Sequence, residues 1–412
     1  MYQNMREDCD RIVNAAIQKV KPDEAVRRAL EGKDYPGRVI LVSVGKAGWQ
    51  MAKAAADVLG NRIDDGIVIT KYGHVLAPIP GITCVEAGHP VPDENSFAGT
   101  QKAIDLVDDL NPEDTVLFLL SGGGSALFEK PLISGEELQD ITSQMLACGA
   151  NIVEMNTIRK RLSGVKGGRF AQLAAPAHVD AVILSDIVGD PLDMIASGPA
   201  CPDSASRADA LAIIKKYGLK LSPEAMRLMD VETPKSLDNV TTQITGSVRE
   251  LCKAAEDVCR DLGYEPVLLT DYLVGVAREA GSFMGSILRT HYGSGKNLAF
   301  IAGGETVVNI TGKGLGGRNQ ELAFAAADLI DGLEGTAVFS VGSDGTDGPT
   351  DAAGGYVDGS TAAELRKLGL KVYDVLQDND SYHALQKTGG LIMTGPTGTN
   401  VNDVAVALLR AK

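Results

Sequence analysis

The sequence predicts an α/β fold built from two domains, the first of them Rossmann-like with a mainly parallel sheet. In the first half, apolar strand-like runs alternate with helical patterns at short intervals, which is typical of parallel βαβ units. Several of these runs end in glycine-rich polar loops, and the chain has 47 glycines among 412 residues. A second alternation follows a stretch of weak periodicity, and the length alone favours two or three domains.

Apolar periodicity places the elements of the first half. Helices are expected near 4–20, 23–31, 48–59 and 95–109, and strands at 38–44, 66–70, 82–86 and 115–120. Beyond the loop after residue 120, helices are expected at 134–148, 151–163 and 167–174, and a strand at 180–185. The loops that follow these strands lie at their carboxyl ends, which is where open α/β sheets bind ligands.

The segment from Leu219 to Val240 has two prolines, several turn-forming residues and weak periodicity, so we predict domains at 1–235 and 236–412. In the second domain, helices are expected at 247–262, 275–290 and 317–330, and strands at 266–270, 297–302, 306–310 and 336–342. The end of the chain is expected to form one or two strands, broken by the turn at residues 395–398.

Composition excludes several classes of function. The net charge of −15 argues against a nucleic-acid or anionic-membrane surface, since binding to either needs a cationic footprint. No apolar run approaches the roughly 18 residues of a membrane helix, and the acidic start is unlike a signal peptide, so a cytoplasmic protein is predicted. Neither the six cysteines nor the five histidines have metal-site spacing.

Two loops in the first domain are candidates for phosphate binding. The first contains Ser121, Gly122, Gly123, Gly124 and Ser125 and directly follows an apolar strand. Three successive glycines favour close approach of the backbone to a ligand, with a glycine-lined packing contact as the alternative. In the second loop, Lys46 precedes a helix, where a positive charge is unfavourable unless an anion lies beside it.

A third glycine-rich loop lies in the second domain. Gly303, Gly304 and Glu305 follow one predicted strand, and the segment 312–317 formally matches a GxGxxG dinucleotide motif. The acidic residue that should hold the ribose is misplaced, whereas Lys313 and Arg318 suit a phosphoryl group better. Arg318 is therefore predicted to stabilise a transferring phosphoryl group, with a surface arginine at a helix start as the alternative.

Aspartates at strand ends are candidates for Mg²⁺ ligation. Asp344, Asp347 and Asp351 follow one strand and Asp186 another, although such residues also form ordinary turns. Asp190 is a candidate to accept the proton of a substrate hydroxyl. Lys166 lies in a cationic segment, 156–168, that contains Asn156 and Arg159 and that a solvated face would also explain.

Together these segments resemble the type II glycerate kinases. The resemblance runs in family order from about residue 5 to 408 and rests on the segments VGKAG, AGHPVPDENS, SGGGSAL, MNTIRKRLSGVKGG, SDIVGDPLDMIASGP, GGETVV, GKGLGGRNQELA, SVGSDGTDGPTDAAGG and TGPTGTNVNDV. It implies a Rossmann-like first domain, a MOFRL-type second domain with a mixed sheet, and an active site in the cleft between them. The family's cleft lysine falls on Lys46 and its cleft arginine on Arg318.

The activity implied by the resemblance is transfer of phosphate from ATP to D-glycerate with Mg²⁺, commonly to give 2-phosphoglycerate. The expected catalytic residues are Lys46, Arg318 and Asp190, and the expected metal ligands are Asp186, Asp344 and Asp347. Nucleotide contacts are expected at Ser121, Gly122, Gly123, Gly124, Ser125, Lys166, Gly303, Gly304 and Glu305. An NAD(P)H-dependent hydroxypyruvate reductase and a non-catalytic sensor are the alternatives, and the oligomeric state, a homo-oligomer included, stays open.

Overall fold

The computed structural model describes residues 5–411, which form two compact units. The N unit comprises Ala25–Leu184 and Asp190–Thr245. The C unit comprises the described residues of Met1–Glu24, Ser185–Gly189 and Gly246–Lys412. Each unit is discontinuous in sequence, whereas the predicted domains, 1–235 and 236–412, are continuous ranges. The division into separately folding domains at 1–235 and 236–412 therefore stays a prediction.

The elements are numbered along the chain. The strands are β1 Val39–Val44, β2 Asp65–Lys71, β3 Ile82–Ala87, β4 Thr115–Leu120, β5 His178–Leu184, β6 Val240–Gly246, β7 Glu265–Leu273, β8 Leu298–Gly304, β9 Thr336–Gly342, β10 Gly354–Asp358, β11 Leu391–Ile392 and β12 Asp403–Leu409. The helices are α1 Met5–Lys19, α2 Pro22–Leu30, α3 Gly48–Leu59, α4 Glu94–Val107, α5 Gly124–Leu127, α6 Gly135–Ala147, α7 Ile152–Arg161, α8 Arg169–Ala174, α9 Arg207–Tyr217, α10 Pro223–Met229, α11 Val248–Asp261, α12 Ala277–His291, α13 Arg318–Ala325, α14 Thr361–Lys367, α15 Val372–Asp378 and α16 Ser381–Lys387.

The N-unit sheet has the strand order β3-β2-β1-β4-β5-β6, with parallel pairing from β3 through β5. This is the doubly wound order of Rossmann folds, which confirms the predicted class. Every residue of β1 and of β4 is buried, because helices cover both faces of a parallel sheet, and for that reason both strands appear as continuous apolar runs. The strand order reverses between β1 and β4, so their carboxyl ends flank the crevice where such sheets bind ligands.

The C-unit sheet is mixed, with the order β11-β10-β9-β12-β8-β7. The last strand, β12, lies antiparallel between β8 and β9, whereas β7 and β8 are parallel. The predicted mixed sheet is therefore confirmed. Because β12 occupies the centre, its first residue, Asp403, is paired with Gly304 at the end of β8 and Gly342 at the end of β9.

Local chemistry explains where several helices begin. Asp93, Asn151 and Ser206 each form a reciprocal capping box at the start of a helix. The helix expected from residue 167 begins instead at Arg169, because Gly167 and Gly168 have φ values of 59° and 85°, which a right-handed helix does not allow.

The predicted strand at 306–310 is wrong. This segment forms only an isolated bridge between Val276 and Val307, and Ile310 is 83% exposed. Its alternating apolar pattern suits a strand, but β8 already pairs with β12 on one side and β7 on the other. None of the helices described for residues 5–411 has the length and apolar character of a membrane span.

Candidate functional site

In the N unit, the two predicted phosphate loops meet at the carboxyl ends of β1 and β4. The amide of Lys46 donates to the carbonyl of Gly122 at 2.8 Å, and the amide of Ala47 donates to Ser121 Oγ at 3.1 Å. Gly45 has a φ of 121°, and any side chain there would collide with Ser121. The structure therefore brings Lys46 and the loop Ser121–Ser125 together at the point where strand order reverses.

The glycine loop offers unused hydrogen-bond donors. In the part of the chain that the structure describes, the amides of Gly122, Gly123, Gly124 and Ser125 donate to no other group. Gly123 has a φ of 87°, a left-handed conformation that favours glycine. Unpaired amides in such a turn form a concave site for an anion.

Positive charge surrounds this loop. No described residue forms a hydrogen bond or an ion pair with the Lys46 ammonium group. A Cβ added to Gly123 would lie 3.0 Å from His89 and 3.2 Å from Lys46, so both side chains border the loop. Burial and then the charges of Lys46, Lys71 and His74 lower the pKa of His89. An anion bound here would relieve this repulsion.

The loop after β5 also reaches the glycine loop. Ser197 Oγ lies 3.1 Å from Ser125 Oγ and donates to Asn156 Oδ1 at 3.0 Å. Three residues of this loop that are not glycine have left-handed backbones, with φ of 51° at Asp190, 49° at Ala196 and 62° at Ser197. Such strain clusters at functional sites, and Oδ1 of Asp190 is buried with no hydrogen-bond partner among residues 5–411.

Lys166 supports this region from within the core. Its side chain is fully buried, its ammonium donates to the carbonyl of Phe128 at 3.1 Å, and it forms an ion pair with Glu129. Burial lowers the pKa of Lys166 to about 8, an effect that the Glu129 carboxylate opposes. In this position the Lys166 ammonium is not exposed to a nucleotide. The expected contact between Lys166 and the nucleotide stays a prediction, and the proposed function does not depend on it.

Substitution of Lys166 tests this structural role. We expect Lys166→Met to lower the free energy of unfolding by about 3–5 kcal/mol, because Glu129 is left as an uncompensated buried charge. Lys166→Met combined with Glu129→Leu should recover much of the loss. Urea unfolding followed by circular dichroism measures both, and Lys216→Met, in an exposed pair with Glu154, is the matched control. A Lys166→Met protein as stable as the wild type would contradict this role.

In the C unit, Arg318 is held by two carboxylates. Its Nε and Nη2 donate to Asp403 at 2.6 and 3.0 Å, and its Nη1 donates to Glu305 at 2.8 Å. The Arg318 side chain stays 33% exposed, whereas that of Asp403 is 8% exposed. Burial raises the pKa of Asp403 to about 6 although Arg318 opposes the shift. The two carboxylates thus fix the orientation of the Arg318 guanidinium, and part of the side chain stays accessible to solvent.

Asn402 completes this cluster. Its Nδ2 donates at 3.1 Å both to Glu305 Oε2 and to the carbonyl of Asp186. Its backbone is left-handed, with φ of 68°, and its Oδ1 is buried with no partner in the part of the chain that the structure describes. The structure therefore gathers Arg318, Glu305 and Asp186 around two residues, Asn402 and Asp403, that begin the last strand.

Several of the aspartates considered as metal ligands accept hydrogen bonds from nearby groups. Asp347 is buried and caps α13, since its carboxylate accepts the amides of Asn319 and Gln320 at 3.1 and 2.8 Å. Asp344 accepts the amide of Thr346 in a turn, and Asp351 accepts the Tyr382 hydroxyl. Within residues 5–411, no three acidic, histidine or cysteine side chains come together as a metal site.

The segment 312–317 is unlike a dinucleotide loop because four of its six amides already donate to residues 378–380. Thr311 and Gly312 donate to Asn379 Oδ1, Lys313 donates to Asp378 Oδ1, and Gly314 donates to the carbonyl of Asp378. Leu315 donates to Asp380 at 2.9 Å. A pyrophosphate needs such amides itself, so this geometry argues against the reductase alternative.

Gly303 and Gly304 are explained by packing. Both are buried in β8, where a side chain on Gly303 would collide with Cys252 and one on Gly304 with the backbone of Leu273. The expected nucleotide contact of these two glycines stays a prediction. Their effect on the site is indirect, because they place Glu305 at the end of β8 beside Arg318.

The sequence did not single out four residues that shape these sites: His89, Glu129, Asn402 and Asp403. Three of them carried a signal, since the segments AGHPVPDENS and TGPTGTNVNDV contain His89, Asn402 and Asp403 and contributed to the resemblance. Glu129 carried none, because its burial depends on a lysine 37 residues away.

Comparison with known proteins gives consistent results. A family described as a domain of unknown function, DUF4147, matches residues 8–230, and the MOFRL family matches residues 298–403. D-glycerate 2-kinase of Thermotoga maritima is 52% identical over 404 residues, which cover 97% of each chain. A protein of Agrobacterium vitis named putative hydroxypyruvate reductase is 38% identical and covers 97% of this chain and 93% of its own.

A solved structure agrees with the fold. The crystal structure of glycerate kinase from Thermotoga maritima superposes with a TM-score of 0.94 at 51% identity, covering 98% of this chain and 99% of its own. The resemblance found in the sequence is therefore confirmed, and the chain belongs to the glycerate kinase family defined by a DUF4147 region followed by a MOFRL region.

Proposed function

We propose that this protein transfers the γ-phosphoryl group of ATP to the 2-hydroxyl of D-glycerate, giving 2-phosphoglycerate and ADP. The main supporting observation is the loop Ser121–Ser125, in which four amides donate to no group within residues 5–411. The side chain of Lys46, whose ammonium has no partner among the same residues, borders this loop. Phosphoryl transfer asks the protein mainly for positioning and for stabilisation of phosphate charge. The names of the close relatives support the choice of substrate.

In the proposed reaction, the substrate hydroxyl oxygen bonds to the γ-phosphorus while the bond from that phosphorus to the bridging oxygen of ADP breaks. The amides of the loop bind phosphate oxygens, and Lys46 and Arg318 stabilise charge on the transferring group. Asp190 accepts the hydroxyl proton, since its buried Oδ1 has no partner within the described residues. Glu305 and Asp403 orient Arg318.

ATP is expected to act as its Mg²⁺ complex. Mg²⁺ is usually bound through one or two carboxylates together with substrate phosphates and water, so a preformed cage of acidic residues is not required. Asp186 and Asp344 are the carboxylates that we assign to it. Asp347 is omitted because both its oxygens accept hydrogen bonds from α13. When bound, the ion neutralises charge on the phosphates.

The partners in this proposal are small molecules, and we place the enzyme in the cytoplasm, where ATP is available. The formal charge of −15 means that anionic substrates depend on local cations such as Lys46 and Arg318.

ADP release tests the proposal directly. We expect purified protein with ATP, Mg²⁺ and D-glycerate to release ADP, with L-glycerate and no-acceptor reactions as controls. Phosphorus NMR of the product distinguishes 2-phosphoglycerate from 3-phosphoglycerate. No ADP release with D-glycerate, together with NAD(P)H oxidation on hydroxypyruvate, would replace the kinase by the reductase.

A further inference from the structure

A groove of about 540 Å³ opens in the N unit between the start of α4 and the side of α6. Its size is that of a small-molecule site, which is commonly 300–1,000 Å³. The wall on one side comes from residues 90–94 and Phe97, and the wall on the other from residues 135–146 of α6. Arg159 of α7 also lines it.

The groove has both apolar and polar lining, and the acidic residues Asp93, Glu94 and Glu136 form part of it. Val91, Phe97, Leu138 and Leu146 supply the apolar surface, and Val91 and Leu146 are 58% and 64% exposed. Gln139 projects from α6 beside them, and its carboxamide has no partner within the described residues. A flat heterocycle with its own donors and acceptors fits such walls, and a carboxamide can pair with adenine through two hydrogen bonds.

Arg159 places positive charge in the groove. No hydrogen bond or ion pair to its guanidinium is present in residues 5–411, and its Nε is buried without a partner. Its charge also acts on Lys166, which already has Glu129 as a counter-ion. An unpaired guanidinium of this kind is a strong bidentate donor for a phosphate group.

Residues that line the groove are connected to the phosphate loop in two places. On one wall, Pro90 follows His89, which borders Gly123. On α7, Asn156 lies three residues before Arg159 and is linked through Ser197 to Ser125 of the loop. Both connections join residues beside the groove to the glycine loop.

We propose that this groove binds the adenosine part of ATP and that Arg159 binds a phosphate oxygen at its inner end. The inference rests on the proposed kinase function and deepens it by assigning adenine to the N unit. The apolar walls take the base, Gln139 pairs with its edge, and the polyphosphate chain continues to the loop Ser121–Ser125. D-glycerate alone is too small to use the apolar walls.

Two variants with matched controls test this assignment by the affinity for ADP alone, measured by isothermal titration calorimetry. Arg159→Gln should weaken ADP binding by about 10-fold or more, because a charge-assisted hydrogen bond to phosphate is lost. Ser143→Trp fills the groove and should weaken ADP binding by a similar factor. Arg227→Gln, at an exposed arginine of α10, and Asp140→Trp, on α6 but away from the groove, should bind ADP as the wild type does.

Hydrogen exchange provides evidence without substitution. ADP should slow amide exchange in residues 90–97 and 135–146 of the wild type, D-glycerate alone should not, and α9 should be unaffected by either. Thermal unfolding of each variant shows whether its fold is retained.

The outcomes separate this inference from the function itself. If the wild type releases ADP with D-glycerate but both groove variants bind ADP normally, the kinase stands and the adenosine site is wrong. If Arg159→Gln raises the KM for D-glycerate alone, the arginine binds the acid, which also overturns the assignment. If the wild type neither binds ADP nor releases it, the proposed function fails.

Discussion

Replacing Lys46 by methionine should lower kcat for ADP release with D-glycerate by about 10²–10³-fold while the fold is retained. Among the described residues, the Lys46 ammonium has no counter-ion, and the Lys46 side chain borders a loop with four amides that donate to no group. Charge moves onto the oxygens of the transferring phosphoryl group during reaction, and a preorganised ammonium stabilises that distribution without reorganisation. Methionine keeps most of the side-chain volume and removes only the charge.

The control for this variant lies on the same helix. Lys53→Met removes an ammonium from α3 that is paired with Asp57 at 2.5 Å and 43% exposed, so turnover should stay near that of the wild type. Steady-state kinetics with varied ATP and varied D-glycerate separates kcat from KM. A Lys46→Met enzyme with kcat within a factor of about three of the wild type would remove Lys46 from the chemistry.

Five of the six strands of the N-unit sheet, all except β6, could be predicted because their signals are local. Its central strands, β1 and β4, are buried on both faces and appear as unbroken apolar runs followed by glycine loops. In the C unit, β10 was missed because it begins with Gly354 and Gly355. There, glycine is required by close contact with Ser340 on β9 and with α13, contacts that local sequence does not show.

Two of the glycine-rich loops are similar in sequence but differ in the structure. In composition, Ser121–Ser125 and the segment 312–317 are both candidates for phosphate binding. Within residues 5–411, four amides of the first loop donate to no group, whereas residues 378–380 accept four of the six amides of the second. That difference depends on a segment more than 60 residues away in the chain.

The same limit applies to the acidic residues. Asp347 looked like a metal ligand because it follows a strand in a turn-forming sequence, yet it lies across from the amides that begin α13. Asp403 had no such pattern around it and becomes the main partner of Arg318, because β12 is placed between β8 and β9. Topology therefore decided which carboxylate meets which cation.

Replacing Arg318 by lysine should lower kcat by about 10²-fold or more even though the positive charge is kept. The planar guanidinium donates to Asp403 through two nitrogens and to Glu305 through a third, and an ammonium cannot reproduce this geometry. Arg366→Lys is the matched control, because Arg366 also forms a two-nitrogen pair, with Asp331, at the exposed end of α14. Normal kcat in Arg318→Lys would show that charge alone suffices.

The pH dependence of turnover tests how Arg318 is held. Since burial raises the pKa of Asp403 to about 6, its carboxylate is ionised above that pH and gains a proton as the pH falls through 6. Between about pH 3.8, the ordinary pKa of the unfolded chain, and pH 6, the folded protein binds a proton at Asp403 that the unfolded chain does not. Ionisation of Asp403 therefore lowers the free energy of unfolding as the pH rises through this range. We expect kcat to decline below pH 6 in the wild type, because protonated Asp403 no longer fixes the guanidinium as a charged pair. In Asp403→Asn, kcat should be lower throughout and this acidic limb should be absent; an unchanged limb would assign the titration to another group.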